Sequence, residues 1–232
     1  MRCRWAVRQR EEVREDKDPL AYLLAGERRG PLVMPGGTAL HIVGNDGEVV
    51  EAELAAGELG CPHCEGELRP WSHARARATR LAEGSERHRP RRARCRACGR
   101  TTVLLAERFL ARRVDSAEVV GQALLARAAG KAQSAIASSL GRTRETVRNW
   151  LAAFAARAEP LRRHFTSWAL ASDASLHEVV SQGSGFADAV EAVGLAARAA
   201  SLAFGPKPAW SWASRMTRGG LISNTNWPAP PG

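Results

Sequence analysis

Four cysteines stand in two C-x-x-C pairs, Cys61-Pro-His-Cys64 and Cys95-Arg-Ala-Cys98. Two thiolates at this spacing grip one ion from a single tight turn. Two such turns complete a tetrahedral set, which Zn2+ accepts at Zn–S distances of about 2.3 Å. Glycine follows each pair, as Gly66 and Gly99, and lets the backbone leave the turn in conformations other residues resist. The 30 residues between the pairs exceed the roughly 15–20 of the usual two-pair pattern. The excess predicts a ribbon with an extended hairpin, tipped by an arginine-rich loop. A redox C-x-x-C needs only one pair, and a lasting disulfide needs an oxidising compartment. The expectation is one structural Zn2+ per chain on Cys61, Cys64, Cys95 and Cys98. Four thiolates leave no open position for water, so such a site builds structure and does not hydrolyse. His63, inside the first turn, is an alternative ligand. His73 and His88 are expected in solvent, and Cys3 has no partner.

A second constellation lies at 133–154, QSAIASSLGRTRETVRNWLAAF. Ile136, Ala137 and Leu140 fall on one face of a short helix. Gly141 occupies the turn, where a positive φ is wanted, and Thr143 suits a helix N-cap. Val147, Trp150, Leu151 and Phe154 then recur at helical spacing and form a buried face. Arg144, Glu145, Arg148 and Asn149 are left pointing outward from the first turns of the second helix. These side chains match base edges: arginine matches guanine, asparagine adenine, glutamate cytosine. The arrangement predicts a helix-turn-helix whose second helix enters a major groove. The competing reading is an ordinary helical hairpin.

These residues need elements to hold them. The chain has 232 residues, 44% hydrophobic and 25% charged, with a net charge of +10. That is enough apolar material for a folded core. The excess charge is concentrated: residues 69–113 hold 14 arginines against three acids, the electrostatic footprint of a polyanion binder. Arg75, Arg77, Arg87, Arg89, Arg91, Arg92, Arg142 and Thr143 are the candidates for phosphate contacts. Met1–Lys17 is too charged for a signal peptide. The apolar run near Ala189–Phe204 is too short and too charged to span a bilayer. The expected place is the cytoplasm, at the nucleoid when bound.

Four segments follow. Residues 1–57 read as partly disordered, with a strand at Thr38–Val43 and, at Glu48–Ala56, either a short helix ended by Gly57, the favoured reading, or a second hairpin strand. Residues 58–113 are the ribbon, with strands at Leu68–His73, Arg91–Cys95 and Thr101–Leu105 and a mobile polar loop at Ala74–Pro90. Residues 114–168 are the helix-turn-helix domain, opened by Asp115 and Glu118 as a capping pair, with Gly130 just past its first helix. Residues 169–232 are a helical extension, broken at Gly183-Ser184-Gly185, and an irregular Pro/Gly/Trp-rich tail from Gly205. A further break is expected near Pro160. The fold class is mainly α: a helix-turn-helix bundle with a small β zinc ribbon and irregular ends.

The stretches CPHCEGELRPW, RRARCRACGRTTVLL and AIASSLGRTRETVRNWLAAFA resemble the zinc-ribbon and helix-turn-helix segment that opens many bacterial insertion-sequence transposases. They are closer to a group of small bacterial helix-turn-helix proteins that carry this segment alone. The resemblance covers about residues 58–168, and FADAVEAVGLAARAASLAFGP is similar to the same group. It implies that ribbon and helix-turn-helix both serve DNA binding.

Catalysis is not expected. A transposase needs a carboxylate triad on a β-rich core to hold two metal ions. After the helix-turn-helix only Glu159, Asp173, Glu178, Asp188 and Glu191 remain, on alanine-rich helical segments. The expected function is sequence-specific binding of double-stranded DNA, in transcriptional regulation or in a role derived from a transposase. The runner-up is a non-catalytic ribbon that binds RNA or a protein partner. The apolar residues Leu161, Phe165, Trp168, Leu176, Val179, Val180, Phe186, Val190 and Val193 either pack on the helix-turn-helix or form a homodimer surface within 161–204. No small-molecule substrate and no membrane contact are evident.

Overall fold

The computed structural model describes residues 39–173, 175–176 and 180–223. The expectations for residues 1–37, Cys3, Glu178 and Val179 lie outside the described residues. The order is β1 (Ala39–Val43), α1 (Gly47–Ala56), β2 (Leu68–His73), β3 (Arg77–Arg80), β4 (Ser85–His88), β5 (Arg91–Cys95) and β6 (Thr101–Ala106). Six helices follow: α2 (Ala117–Ala128), α3 (Gln133–Ser139), α4 (Arg144–Ala155), α5 (Ala158–Ser172), α6 (Gly185–Phe204) and α7 (Ala209–Met216). The fold is mainly α with small sheets, as the sequence implied.

α1 forms because its ends are satisfied. The Asp46 carboxylate accepts from the backbone N–H of Glu48 and Val49, and Gly57 closes the helix at φ 81°. β1 then pairs in parallel with β6, Ala39 opposite Thr102, in a sheet ordered β1-β6-β5-β2. Residues 39–57 are thus continuous with the ribbon, and the boundary expected at 57/58 runs through shared structure. Val43, Val50, Leu54, Leu68, Ala93 and Leu104 fill the space between α1 and the sheet and reach Cys61 and Cys95.

Ala74–Pro90 is not a loop. It folds into the antiparallel hairpin β3–β4, with Arg77 opposite His88 and Arg80 opposite Ser85, turning through Gly84 at φ 75°. Nor is Asp115 the cap of α2. Ser116 takes that role by accepting from Val119 N–H, which frees Asp115 for the contact described below. Pro160 lies in the first turn of α5, where a missing N–H costs no hydrogen bond. The chain breaks instead at Ala156–Arg157, between α4 and α5.

The helices share one core. Val120, Leu124, Ile136, Val147, Trp150, Phe154, Leu161, Phe165, Val193 and Trp212 are all part of it. Leu161, Phe165, Trp168, Val190 and Val193 are therefore buried within their own chain, whereas Val180 is exposed. The described part of the tail carries helix α7 in place of the irregular run expected from Gly205. Trp210 lies so close to Gly121 that a Cβ there would stand 2.0 Å from the indole. Trp212 Nε1 donates to Ser201 Oγ at 2.8 Å. Arg157 donates to the carbonyls of Gly220 and Ser223, and Arg113 to that of Ile222.

Candidate metal centre and nucleic-acid interface

The two cysteine turns are built alike. In the first, Cys61 N–H donates to Gly66 O at 2.8 Å and Glu65 N–H to Cys61 O at 2.9 Å. In the second, Cys95 N–H donates to Arg100 O at 2.9 Å and Gly99 N–H to Cys95 O at 3.1 Å. The left-handed residue is Glu65 (φ 60°) in one and Gly99 (φ 70°) in the other. Gly66 thus serves space, not φ: a Cβ there would stand 2.7 Å from Ala97 Cβ and 3.2 Å from Cys95 Sγ.

The turns bring four sulfurs within 4.8 Å of one another. Cys61 Sγ is 3.8 Å from Cys98 Sγ, and Cys64 Sγ is 3.5 Å from Cys95 Sγ. A tetrahedron with metal–sulfur bonds of about 2.3 Å has edges of about 3.8 Å, so the donor set fits one such ion. Backbone N–H groups of His63 and Cys98 point at Cys61 and Cys95 Sγ, each at 3.4 Å. The Cys98 N–H leads in holding the Cys95 thiol down at about 7, while burial pushes Cys61 up to about 12. The His63 ring is half-buried, with Nδ1 2.9 Å from Arg100 Nη1, and lies outside the four-sulfur group.

α3 and α4 form the helix-turn-helix as read. Gly141 turns at φ 59°. Thr143 Oγ1 accepts from Thr146 N–H at 3.2 Å, so its hydroxyl caps α4. Val147, Trp150, Leu151 and Phe154 are buried. Arg144, Glu145, Arg148 and Asn149 are all exposed. Only a long contact ties Arg148 to Glu145, at 3.4 Å, so the face is chemically available.

The arginines expected on phosphates divide. Arg75, Arg77, Arg87 and Arg89 are exposed on or beside the hairpin. Arg91 is taken up by Glu51 at 2.7 Å and by Ser72 O, and Arg92 is half-buried. Arg142 is a correction. Its Nε donates to Asp115 Oδ1 at 2.6 Å, and its other nitrogens to the carbonyls of Leu140 and Leu81. A guanidinium so occupied supports structure and is not free for phosphate. His88 is also corrected: it is stacked on Phe109 with ring centroids 4.1 Å apart, and burial lowers its pKa.

Asp115 is the residue that sequence reasoning misassigned. Its carboxylate, 2% exposed, binds Arg142 of the helix-turn-helix turn and Arg80 of β3 at 2.7 Å. Arg80 N–H also donates to Val114 O, and Ser116 N–H to Arg80 O. The hairpin is thereby fixed as a basic wing against the turn that precedes α4. The available signal was the pair Asp115-Ser116: two cap candidates side by side, of which only one can cap.

Residues 116–162, from the start of α2 into α5, match the family model of the homeodomain-like domain. Such a domain suggests DNA binding. No curated protein matches the chain. No solved structure matches it either. Among the described residues, no helix is long and apolar enough to cross a membrane.

Proposed function

We propose that this chain binds double-stranded DNA in a sequence-specific manner and catalyses no reaction, acting at the nucleoid as a transcriptional regulator or a transposase-derived DNA-binding protein. The observation that carries this reading is the exposed face of α4. Arg144, Glu145, Arg148 and Asn149 project from a helix whose opposite side is buried, within the segment that matches the homeodomain-like domain. Helices of this kind place their N-terminal residues against base edges. The Arg75, Arg77, Arg87 and Arg89 group supplies phosphate contacts, which give affinity and register but little sequence information.

Cys61, Cys64, Cys95 and Cys98 would hold one Zn2+, which would cross-link the two turns and leave no coordination position open. The chain's own part is to set the sulfurs at tetrahedral spacing and direct two N–H groups at them. This ties β2 to β5 and β6 and gives the hairpin a rigid base.

Binding-site selection from random duplexes tests the reading. The wild type should enrich one motif. Arg148→Ala and Asn149→Ala should each relax one base position, with a discrimination loss of about 1–3 kcal/mol. Neutralising Arg75, Arg77, Arg87 and Arg89 should weaken all sequences alike. It should also flatten the salt dependence, by about 0.9 in log–log slope for each phosphate that is no longer neutralised. Recovery of the unchanged motif by both folded α4 variants would remove this helix as the reader.

A further inference from the structure

Strand β2 has one residue too many for its partner. Pro70 pairs with Ala93 and Ser72 with Arg92, which leaves Trp71 as the extra residue of a bulge. Bulges re-aim side chains, and this one turns an indole outward. Trp71 is 57% exposed, whereas Trp150, Trp168, Trp210 and Trp212 are buried. Burying a tryptophan is strongly favourable, so packing does not account for its position.

Its surroundings are cationic. The guanidinium carbon of Arg94 lies 4.9 Å from the Trp71 ring centroid, and Arg94 Nε is anchored to Gly99 O at 3.1 Å. Arg69, directly across the strand pair from Arg94, borders the same hollow with Arg96, Pro70 and Gly99. Arg69 also donates to Ala55 O at 2.6 Å. One carboxylate, Glu67, pairs with Arg69 and with Arg96. Three guanidiniums therefore meet one acid around an open aromatic face.

We propose that Trp71 and Arg94 form a stacking platform for an unpaired base of a nucleic-acid strand, with the exposed Arg96 on a flanking phosphate. A flat ring among guanidiniums suits a base and its backbone. A paired base inside a duplex offers no free face, so the ligand is a single strand, an overhang or an extruded nucleotide. A protein partner would be favoured by an apolar rim, and this rim is charged. The proposal rests on the reading of the chain as a nucleic-acid binder but uses a surface separate from α4.

The test is fluorescence anisotropy on the full chain with three labelled probes: a 12-nucleotide oligothymidine, a 12-nucleotide oligouridine and the selected blunt duplex. The wild type should bind at least one of the single strands. Tighter binding of the first assigns the platform to DNA, tighter binding of the second to RNA, and either supports it. Trp71→Ala and Arg94→Ala should weaken strand binding by about 5- to 150-fold for the indole and less for the guanidinium. Duplex affinity should stay within twofold and circular dichroism should be unchanged. Trp71→Phe should retain part of the binding, which separates stacking from a loss of folding. A wild type that binds the duplex but neither strand, or a Trp71→Ala variant with wild-type strand affinity, overturns the platform and leaves α4 untouched. Trp71-dependent strand binding without duplex binding supports the platform and overturns the α4 reading.

Discussion

Replacing Asp115 by alanine should loosen the wing without touching any residue proposed to contact DNA. The Asp115 carboxylate is 2% exposed, and the Arg142 side chain it binds at 2.6 Å is 11% exposed. Removing one partner of a buried ion pair costs about 3–5 kcal/mol, because the other charge stays buried alone. Arg142 keeps its bonds to the Leu140 and Leu81 carbonyls, which places the loss near the lower end. The second partner, Arg80, is 44% exposed, and an exposed pair adds at most about 1 kcal/mol. A total of about 3 kcal/mol corresponds to a melting shift of about 6–12 °C for a chain of this size. Thermal and urea unfolding followed by circular dichroism measure it. Limited proteolysis between Arg75 and Arg92 should show the hairpin opening first. The double variant Asp115→Ala/Arg142→Met removes the orphaned charge and should recover most of the stability. If Asp115→Ala melts within about 2 °C of the wild type, the coupling argument is wrong.

Gly121→Ala should be among the most damaging single-methyl additions, since the new Cβ would stand 2.0 Å from the Trp210 ring. Overpacking of this kind costs about 1–3 kcal/mol or more, and Gly121→Ala/Trp210→Leu should restore part of it in a melting experiment. A strong chelator should loosen residues 58–105 while α2–α6 keep their helical signal, and Cys95→Ser/Cys98→Ser should reproduce that state; hydrogen exchange by segment reads both. His41 makes the fold acid-sensitive. Its folded pKa is lowered from 6.5 to about 4 by burial, then by Arg215 and Arg218, so as pH falls the unfolded chain takes up the proton first. It exacts nothing above pH 6.5 and destabilises by up to about 1.4 kcal/mol per pH unit between 6.5 and 4. His41→Gln should flatten that part of the stability curve, and an identical slope would refute the assignment.

What the sequence made legible was local. The four-cysteine cluster is spelled by spacing alone, because two C-x-x-C turns need few other residues to form. The helix-turn-helix shows itself through Gly141, the Thr143 cap and the Val147–Phe154 stripe, all within about 20 residues. For α1 the sequence leaves helix and hairpin strand both open, and Gly57 together with the Asp46 cap decides for the helix. The misses are contacts over long separations. Nothing in Ala39–Val43 announces that its partner is β6. The hairpin β3–β4 is polar on most of both faces, so it lacks the two-residue alternation of a half-buried strand, and its order comes from docking through Arg80 and Asp115. α7 hides in a segment rich in Pro, Trp and Ser, where only the burial of Trp210, Trp212 and Met216 against other helices makes a helix worthwhile. Arg142 looked like a phosphate ligand because it is a basic residue at a helix start; its acceptor lies 27 residues earlier in the chain.

The parallel pairing of β1 with β6 also sets an order of assembly. Ala39 and Thr102 are 63 positions apart, and such pairs form slowly because the chain gives up its entropy before the strands can bond. An ion that ties Cys61 to Cys95 shortens the route. Ala39 is then 22 residues from one end of the tie, and Thr102 seven from the other. By the logarithmic scaling of loop closure, this removes about 0.7 kcal/mol of the entropic barrier, roughly a threefold gain in closing rate. The cysteine turns, stable over short loops of their own, would fold first and deliver β6 to β1, so that refolding started with the ion already bound should outpace refolding to which it is added late.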